Sequence, residues 1–411
     1  MGIKFEGFDY INGGICAPSG FLAAGMHCGM RRNKQKKDVA LIVANKVCNT
    51  AAVYTSNKVK ASPLIVTKEH LEDAKAKAII CNSGNANACN ADGEDKAKSM
   101  CKIVSQELDI DMKDVLVAST GVIGQTLDIM PIKKHIGDLS QSLSTTGSRN
   151  AAEAIMTTDT VKKELALEFE LGDEKCRMGV IAKGSGMIHP NMGTLLCFIS
   201  TDVDINAPLL QKALRRAVRL TLNRVSIDGD TSTNDMAIIM ASGEAKNKQI
   251  INEGKDYEIF LNALYILLMN VARQIAADGE GATKLLECMC VNAPSEDIAE
   301  KVAKSVITSS LFKAAMFAGD ANWGRILCAV GYADAEFSID GIGVELASSK
   351  GKIIVCKDGN GVSFSEESAK EILSEDEIKI MIDLQNGDGK AIAWGCDLTY
   401  DYVKINADYR S

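Results

Sequence analysis

Residues 183–200 read Lys-Gly-Ser-Gly-Met-Ile-His-Pro-Asn-Met-Gly-Thr-Leu-Leu-Cys-Phe-Ile-Ser, a glycine-punctuated loop that runs through Pro190 and Gly193 into Thr194 and a buried-strand pattern. A glycine before a threonine opens backbone torsions that a Cβ forbids. The strained peptide bond there is open to attack by the threonine's own hydroxyl. An N→O acyl shift followed by hydrolysis would cut the chain between Gly193 and Thr194 and leave Thr194 with a free α-amine beside its Oγ. A hydroxyl is a weak nucleophile until a base activates it, and a new N-terminal amine can be that base. Local sequence leaves a second reading open: a Gly-rich turn entering a core strand, with Thr194 an ordinary strand residue.

What surrounds this stretch limits the class of protein. At 411 residues the chain is long enough for two or more domains, taking ~100–200 residues for each. A net charge of −8 argues against a nucleic-acid partner, which would need a clustered basic face. The run Arg31-Arg-Asn-Lys-Gln-Lys-Lys37 reads as a solvated loop. Thirteen cysteines form no CxxC pair, and His27, His70, His135 and His189 do not stand at finger-like spacing from a cysteine pair, so no metal is expected. Cys197, Cys328 and Cys356 lie in apolar runs, where cysteine packs as a small hydrophobe. The odd count and the scatter favour reduced thiols and a cytoplasmic location. Glu6 and Asp9 interrupt the N-terminal stretch, against a signal peptide. No run approaches ~20 apolar residues, so no membrane span is expected.

Taken in order, 38–44 and 47–55 read as two strands joined by a short turn at a sheet edge, and 76–81 as a strand ending in Asn82-Ser-Gly-Asn-Ala-Asn-Ala88. Amides and glycines together suit a tight polar loop whose Asn side chains bond nearby backbone. Helices are expected over 93–108, 131–143 and 147–156, and a strand over 115–118 before Ser119-Thr-Gly-Val-Ile-Gly124. A strand ending in Thr-Gly-x-x-Gly exposes N–H groups in a small concavity that can hold an oxyanion. Strands follow over 164–171, 178–182 and 195–200, then a helix from Asn206 and Pro208 to about Leu222. Ser226-Ile-Asp-Gly-Asp-Thr-Ser-Thr-Asn-Asp235 is a dense polar loop that lacks a calcium-loop spacing. It is expected to border a site and to lead into the strand 236–241. After a long amphipathic helix over 256–276, Glu280 stands between two glycines, free to face a ligand or simply solvated. The final third alternates strands (285–291, 352–356, 391–399) with helices, and Trp323 and Arg325 read as structural.

Lys183-Gly-Ser-Gly-Met187 with Pro190 and Gly193-Thr194, Asn82 to Ala88, Thr157-Thr-Asp-Thr160, Asp228 to Asp235, Gly319 to Arg325 and the ending Tyr402 to Ser411 together resemble the ornithine acetyltransferase family, the ArgJ proteins of arginine biosynthesis. Most members have alanine where Gly193 stands and methionine where Leu195 stands. The resemblance covers essentially the whole chain. It implies an α/β fold of layered sheets and helices of the self-cleaving ornithine acetyltransferase and aminopeptidase type. The cut would separate an alpha chain, 1–193, from a beta chain, 194–411, with roughly 285–411 forming a smaller C-terminal α/β domain. Thr120 and Gly121 fall at the oxyanion positions, and Thr157, Lys183, Thr194, Glu280, Asn406 and Ser411 at substrate-binding positions. Lys183 would meet the substrate's carboxylate and Glu280 the amine of ornithine.

The implied reaction is ping-pong acyl transfer: Thr194 Oγ takes the acetyl group from N-acetylornithine, releases ornithine and passes the acetyl to glutamate, giving N-acetylglutamate. No cofactor is implied. Some members also use acetyl-CoA as donor and others only recycle the acetyl group, and the residues leave that choice open. Members assemble as pairs of alpha–beta units. Two further classes stay open at this point: a self-cleaving aminopeptidase or deacylase, which would use water in place of glutamate, and an uncut, non-catalytic small-molecule-binding protein.

Overall fold

A computed structural model describes residues 3–189 and 195–408. Contacts divide the chain into two compact units, one comprising 1–184, 190–223 and 231–271, the other 185–189, 224–230 and 272–411. Each is described by itself.

The first unit is built on strands β1 (Asp9–Tyr10), β2 (Phe21–Met26), β3 (Val39–Tyr54), β4 (Lys75–Asn85), β5 (Val115–Val122), β6 (Lys163–Leu171), β7 (Glu174–Lys183) and β8 (Leu196–Thr201). After β9 (Val225–Ser226), which belongs to the second unit, β10 (Met236–Ala241) completes it. The order is β1-β6-β7-β8-β10-β3-β4-β5, with β2 also on β3. Period-2 alternation decides the faces. Ala40, Ile42, Ile79, Cys81, Leu116 and Ala118 pack into one core, and Val39, Leu41, Val43, Ala78, Ile80, Val115 and Val117 into another. Helices α1 (Ser62–His70), α2 (Gly93–Leu108) and α3 (Met130–Gln141) add Val66, Val104 and Ile136 to the second core. Helix α4 (Ser148–Ile155) adds Ala151 to Ile155 to the first, in a layered α/β arrangement.

Three local expectations change. The two edge strands expected over 38–55 are one interior strand, β3, paired to β4 along one side and to β2 and then β10 along the other. Its register with β4 shifts between Val43 and Cys48, and the polar residues read as a turn are the exposed bulge there. The strand 76–81 runs on through the polar segment to Asn85. Helix α5 (Ala207–Leu220) starts as expected, with the Asn206 side chain accepting from the Leu209 N–H at 3.0 Å. Helix α6 (Lys255–Ala277) is buried nearly all round over its second half instead of amphipathic. With a mean hydropathy of 1.5 it is long and apolar enough to cross a membrane, against the expectation, although 72% of that window is buried inside the protein as in a core helix.

In the second unit the strands β11 (Leu285–Ala293), β12 (Gly343–Ser348), β13 (Gly351–Lys357), β14 (Asn360–Gly361), β15 (Glu377–Asp383) and β16 (Gly389–Cys396) join β9 in the order β14-β13-β12-β15-β11-β16-β9. Helices α7 (Glu296–Thr308), α8 (Ser310–Ala318), α9 (Trp323–Gly331) and α10 (Glu366–Leu373) supply Val302, Phe312, Ile326 and Leu373 to one core with that sheet, and α11 (Tyr400–Ala407) follows. Trp323 packs against this core, and Arg325 donates to the Leu311 carbonyl at 2.7 Å, consistent with structural roles. All thirteen cysteines are free. Cys197 and Cys356 are buried as expected, but Cys328 is exposed, because the helical period of α9 turns it away from Ile326, Ala329 and Val330.

Candidate active site

In the first unit, β5 ends in Thr120 and Gly121. Gly121 has φ +130°, in the region that favours glycine, and a Cβ there would stand 2.4 Å from the Gly84 carbonyl carbon. Gly84 lies directly opposite it on β4. This close approach of two glycines lets β5 turn with Thr120 nearly buried. The preceding polar run behaves as its composition suggests: Asn82 Nδ2 donates to the Asn85 carbonyl at 3.0 Å, and Asn87 N–H to Asn85 Oδ1 at 2.7 Å.

The loop before β10 joins this turn to the start of β8. Thr233 Oγ1 donates to Asn234 Oδ1 at 2.7 Å and so fixes the amide. Asn234 Nδ2 then donates to the carbonyls of Ala86 and Ser119, at 2.6 and 2.8 Å. Two residues on, the Met236 N–H donates to the Leu195 carbonyl at 2.9 Å. One short segment therefore grips the residue before Thr120 and the residue after Thr194. On the other side of β8, Leu196 pairs with Lys183.

Lys183 ends β7, and its buried ammonium stands 3.9 Å from Asp159 Oδ2. Asp159 also accepts from Lys163 Nζ at 2.6 Å, Gly184 N–H at 2.8 Å and Thr157 N–H at 3.0 Å. Burial alone would raise its carboxyl, but the Lys183 and Lys163 ammoniums outweigh it and hold Asp159 well below the usual carboxylate range. Lys183 moves down, because burial and the Lys163 and Arg31 charges exceed the attraction of Asp159 and Asp235. Thr157 is half-buried, and its backbone N–H is held by Asp159.

In the second unit, Glu280 is 8% exposed, and its N–H donates to the Ser185 carbonyl at 2.9 Å. Its carboxylate lies against Gly186, where a Cβ would come within 2.3 Å of Glu280 Cδ. The side chain is thus neither solvated nor free of protein: Asn406, on α11, donates to Glu280 Oε2 at 2.8 Å. The loop 226–230 also turns inward here, with Asp228 accepting from the N–H groups of Met187 and Ile188, at 2.6 and 2.9 Å. His189 Nδ1 lies 3.0 Å from Ser226 Oγ, and burial pushes this imidazole down to about 4.

Thr120 and Gly121 are thus tied through Asn234 to the start of β8 and so to Lys183, and Glu280 and Asn406 are hydrogen-bonded to each other. Gly193, Thr194 and Ser411 lie outside the described residues. Reading the sequence missed Asp159, whose signal was an acid among threonines four residues before a lysine, and Asp235, whose signal was an acid immediately before a buried strand.

The family model described as the ArgJ family matches residues 22–411. The "Arginine biosynthesis bifunctional protein ArgJ" of Caldanaerobacter subterraneus subsp. tengcongensis is 47% identical, over 98% of this chain and 100% of its own length. "Arginine biosynthesis bifunctional protein ArgJ 1" of Clostridium acetobutylicum is also 47% identical, over 95% and 96%. Among solved structures, the bifunctional protein ArgJ of Bacillus halodurans is 45% identical, over 52% of this chain and 98% of that one, with a TM-score of 0.49. With a family match over nearly its whole length, and relatives of this identity covered end to end, the chain belongs to the ArgJ family.

Proposed function

We propose that the chain cuts itself between Gly193 and Thr194 and that Thr194 then carries an acetyl group from N-acetylornithine to glutamate. Membership of the ArgJ family makes it an enzyme of arginine biosynthesis. The observation that carries the finer reading is the segment 234–236, which binds the Ser119 carbonyl at one end and the Leu195 carbonyl at the other. It sets the turn bearing Thr120 and Gly121 beside the strand that the nucleophile begins.

In this reaction the amine of residue 194 takes the Oγ proton as Oγ attacks the acetyl carbonyl. The tetrahedral oxygen is held by the Thr120 hydroxyl and the Gly121 N–H, donors each worth about 3–4 kcal/mol in comparable sites. The amide C–N bond breaks, the proton passes to the departing nitrogen of ornithine, and glutamate's amine then attacks the acetyl ester in the reverse sense. Lys183 suits the α-carboxylate that all four substrates and products share, as a compact cation. Glu280 suits the side-chain amine that ornithine has and glutamate lacks, and Thr157, Asn406 and Ser411 complete the expected ligands. No cofactor is needed; acetyl-CoA as a second donor, two alpha–beta units per assembly and a cytoplasmic setting belong to the same reading, the last supported by thirteen free thiols.

Intact mass of the purified protein under denaturing conditions tests the first step. Two species matching 1–193 and 194–411 are expected from the native sequence, and one full-length, inactive species from Thr194→Ala. A cut and active Thr194→Ala protein would overturn the reading.

A further inference from the structure

The N-terminal amine that serves as base in acyl transfer does not exist until the chain has been cut. In the uncut chain the nitrogen of residue 194 is a peptide nitrogen, with no basic lone pair. Self-cleavage therefore needs a base from elsewhere in the fold, and this requirement rests on the reading of Thr194 given above.

Asp235 has the properties such a base requires. It is 2% exposed, and its Oδ2 is the one carboxylate oxygen among the described residues that is buried without a hydrogen-bond partner. Buried polar atoms in folded proteins are almost always paired, so an orphaned carboxylate oxygen marks either a cost left in place or a group kept free for chemistry. Its place in the sheet is well determined. The Asp235 carbonyl accepts from the Thr55 N–H at 3.0 Å, and the next residue, Met236, donates to the Leu195 carbonyl at 2.9 Å and pairs with Leu196. Asp235 thus stands at the head of β10, level with the residue that follows Thr194.

The charged and polar groups that face it are few. They are the Ser232 hydroxyl, from its own loop, and the Lys183 ammonium, from β7. Burial raises the Asp235 carboxyl well above the ordinary carboxylate range, and Ser232 and Lys183 offset only part of that rise. A carboxylate so placed is a far stronger base than one in water. Lys183 is itself engaged by Asp159 and is the cation that substrate would need.

We propose that Asp235 is the general base of self-cleavage. Its carboxylate takes the proton from the Thr194 hydroxyl as Oγ forms a bond to the Gly193 carbonyl carbon. The Gly193–Thr194 C–N bond breaks, and the proton passes from Asp235 to the departing nitrogen, which becomes the amine of Thr194. Water then attacks the resulting ester with Asp235 again accepting a proton, releasing the Gly193 carboxylate and restoring the Thr194 hydroxyl. The mature amine takes over as base for acetyl transfer, so Asp235 is needed chiefly once in the life of the chain.

The test follows cleavage in full-length Asp235→Asn, Asp235→Glu and Thr194→Ala proteins by intact mass over time, with thermal melting of each. Asp235→Asn is expected to cut at least about 100-fold more slowly than the native chain, the usual loss for a missing acid–base group. Asp235→Glu is expected to recover part of that rate, and Asp235→Asn to melt no lower than Thr194→Ala. Native-rate cutting by Asp235→Asn, with Thr194→Ala uncut, overturns the role of Asp235 and leaves Thr194 standing. Cutting by Thr194→Ala overturns the reading beneath both. An uncut Asp235→Asn that melts well below Thr194→Ala, with no recovery in Asp235→Glu, assigns Asp235 to structure and overturns the proposal as well.

Discussion

Asn406 Nδ2 donates to Glu280 Oε2 at 2.8 Å, joining α11 to the acid that the family resemblance matches with the amine of ornithine. The same amide group donates to the Tyr402 carbonyl at 3.0 Å, so its orientation is set by its own helix before any ligand arrives. Glu280 is in turn confined by Gly186, which leaves no room for a Cβ beside the carboxylate. Held on two sides, the carboxylate keeps its direction without losing its charge.

Replacing Glu280 with Gln keeps the shape and removes the charge. A hydrogen bond to a charged group contributes about 1.5–3 kcal/mol, so Glu280→Gln should raise KM for N-acetylornithine about 10- to 100-fold. Steady-state kinetics should show the loss on the ornithine side of the reaction and much less with glutamate. Omitting glutamate from the same assay should stop ornithine release after one acetyl group per site; continued release would point to a deacylase.

The turn at the end of β5 makes a sharper prediction. Thr120→Ala removes one oxyanion donor and should lower kcat about 100- to 1,000-fold with little change in KM. Gly121→Ala is a different lesion, because φ +130° and a backbone carbon at 2.4 Å leave no place for the methyl group. That protein should melt lower as well as lose activity, and comparing the two by calorimetry and kinetics separates lost chemistry from lost geometry.

Much of this arrangement was legible in the residues, for reasons that are local. Alternation along β3, β4 and β5 sorts side chains between two cores within a few residues, and Asn206 caps α5 through a neighbour three positions away. Thr120 and Gly121 stood out because a tight turn needs glycine. The misreadings have the opposite cause. The bulge at 45–47 looked like a turn because its polar residues are exposed, and only the continuous pairing of β3 with other strands shows otherwise. Asp159 and Asp235 resembled caps because what distinguishes them, burial beside Lys183, comes from a strand far along the chain. Glu280 looked solvated because its partner lies 126 residues on.

The reactivity of the thiols follows from burial. Cys89 and Cys328 are exposed, and the other eleven are buried. Burial pushes the Cys48 and Cys81 thiols up to about 12, so they are almost fully protonated at neutral pH. Brief alkylation of the native protein at neutral pH should label Cys89 and Cys328 first, as peptide mapping would show, and the others only after unfolding.

The pairing of Asp159 with Lys163 and Lys183 makes the last prediction, one of pH and stability together. The folded carboxyl is held well below its unfolded value, which is ~3.9. The folded state therefore gains from the ionised form at any pH above the unfolded value, and the gain fades as pH falls toward the folded one. Melting temperature should be flat in this contribution from neutral pH to about 5 and then decline as acid is added. Asp159→Asn should remove that part of the decline. At neutral pH it should cost about 3–5 kcal/mol, because Lys163 would be left buried without its counter-charge. Lys163→Met alone would strip Asp159 of its nearer partner and should be similarly costly, whereas the double variant Asp159→Asn with Lys163→Met should recover part of the loss. Strict additivity of the two single effects, measured by denaturant titration, would mean that the two side chains are not energetically coupled despite their 2.6 Å contact.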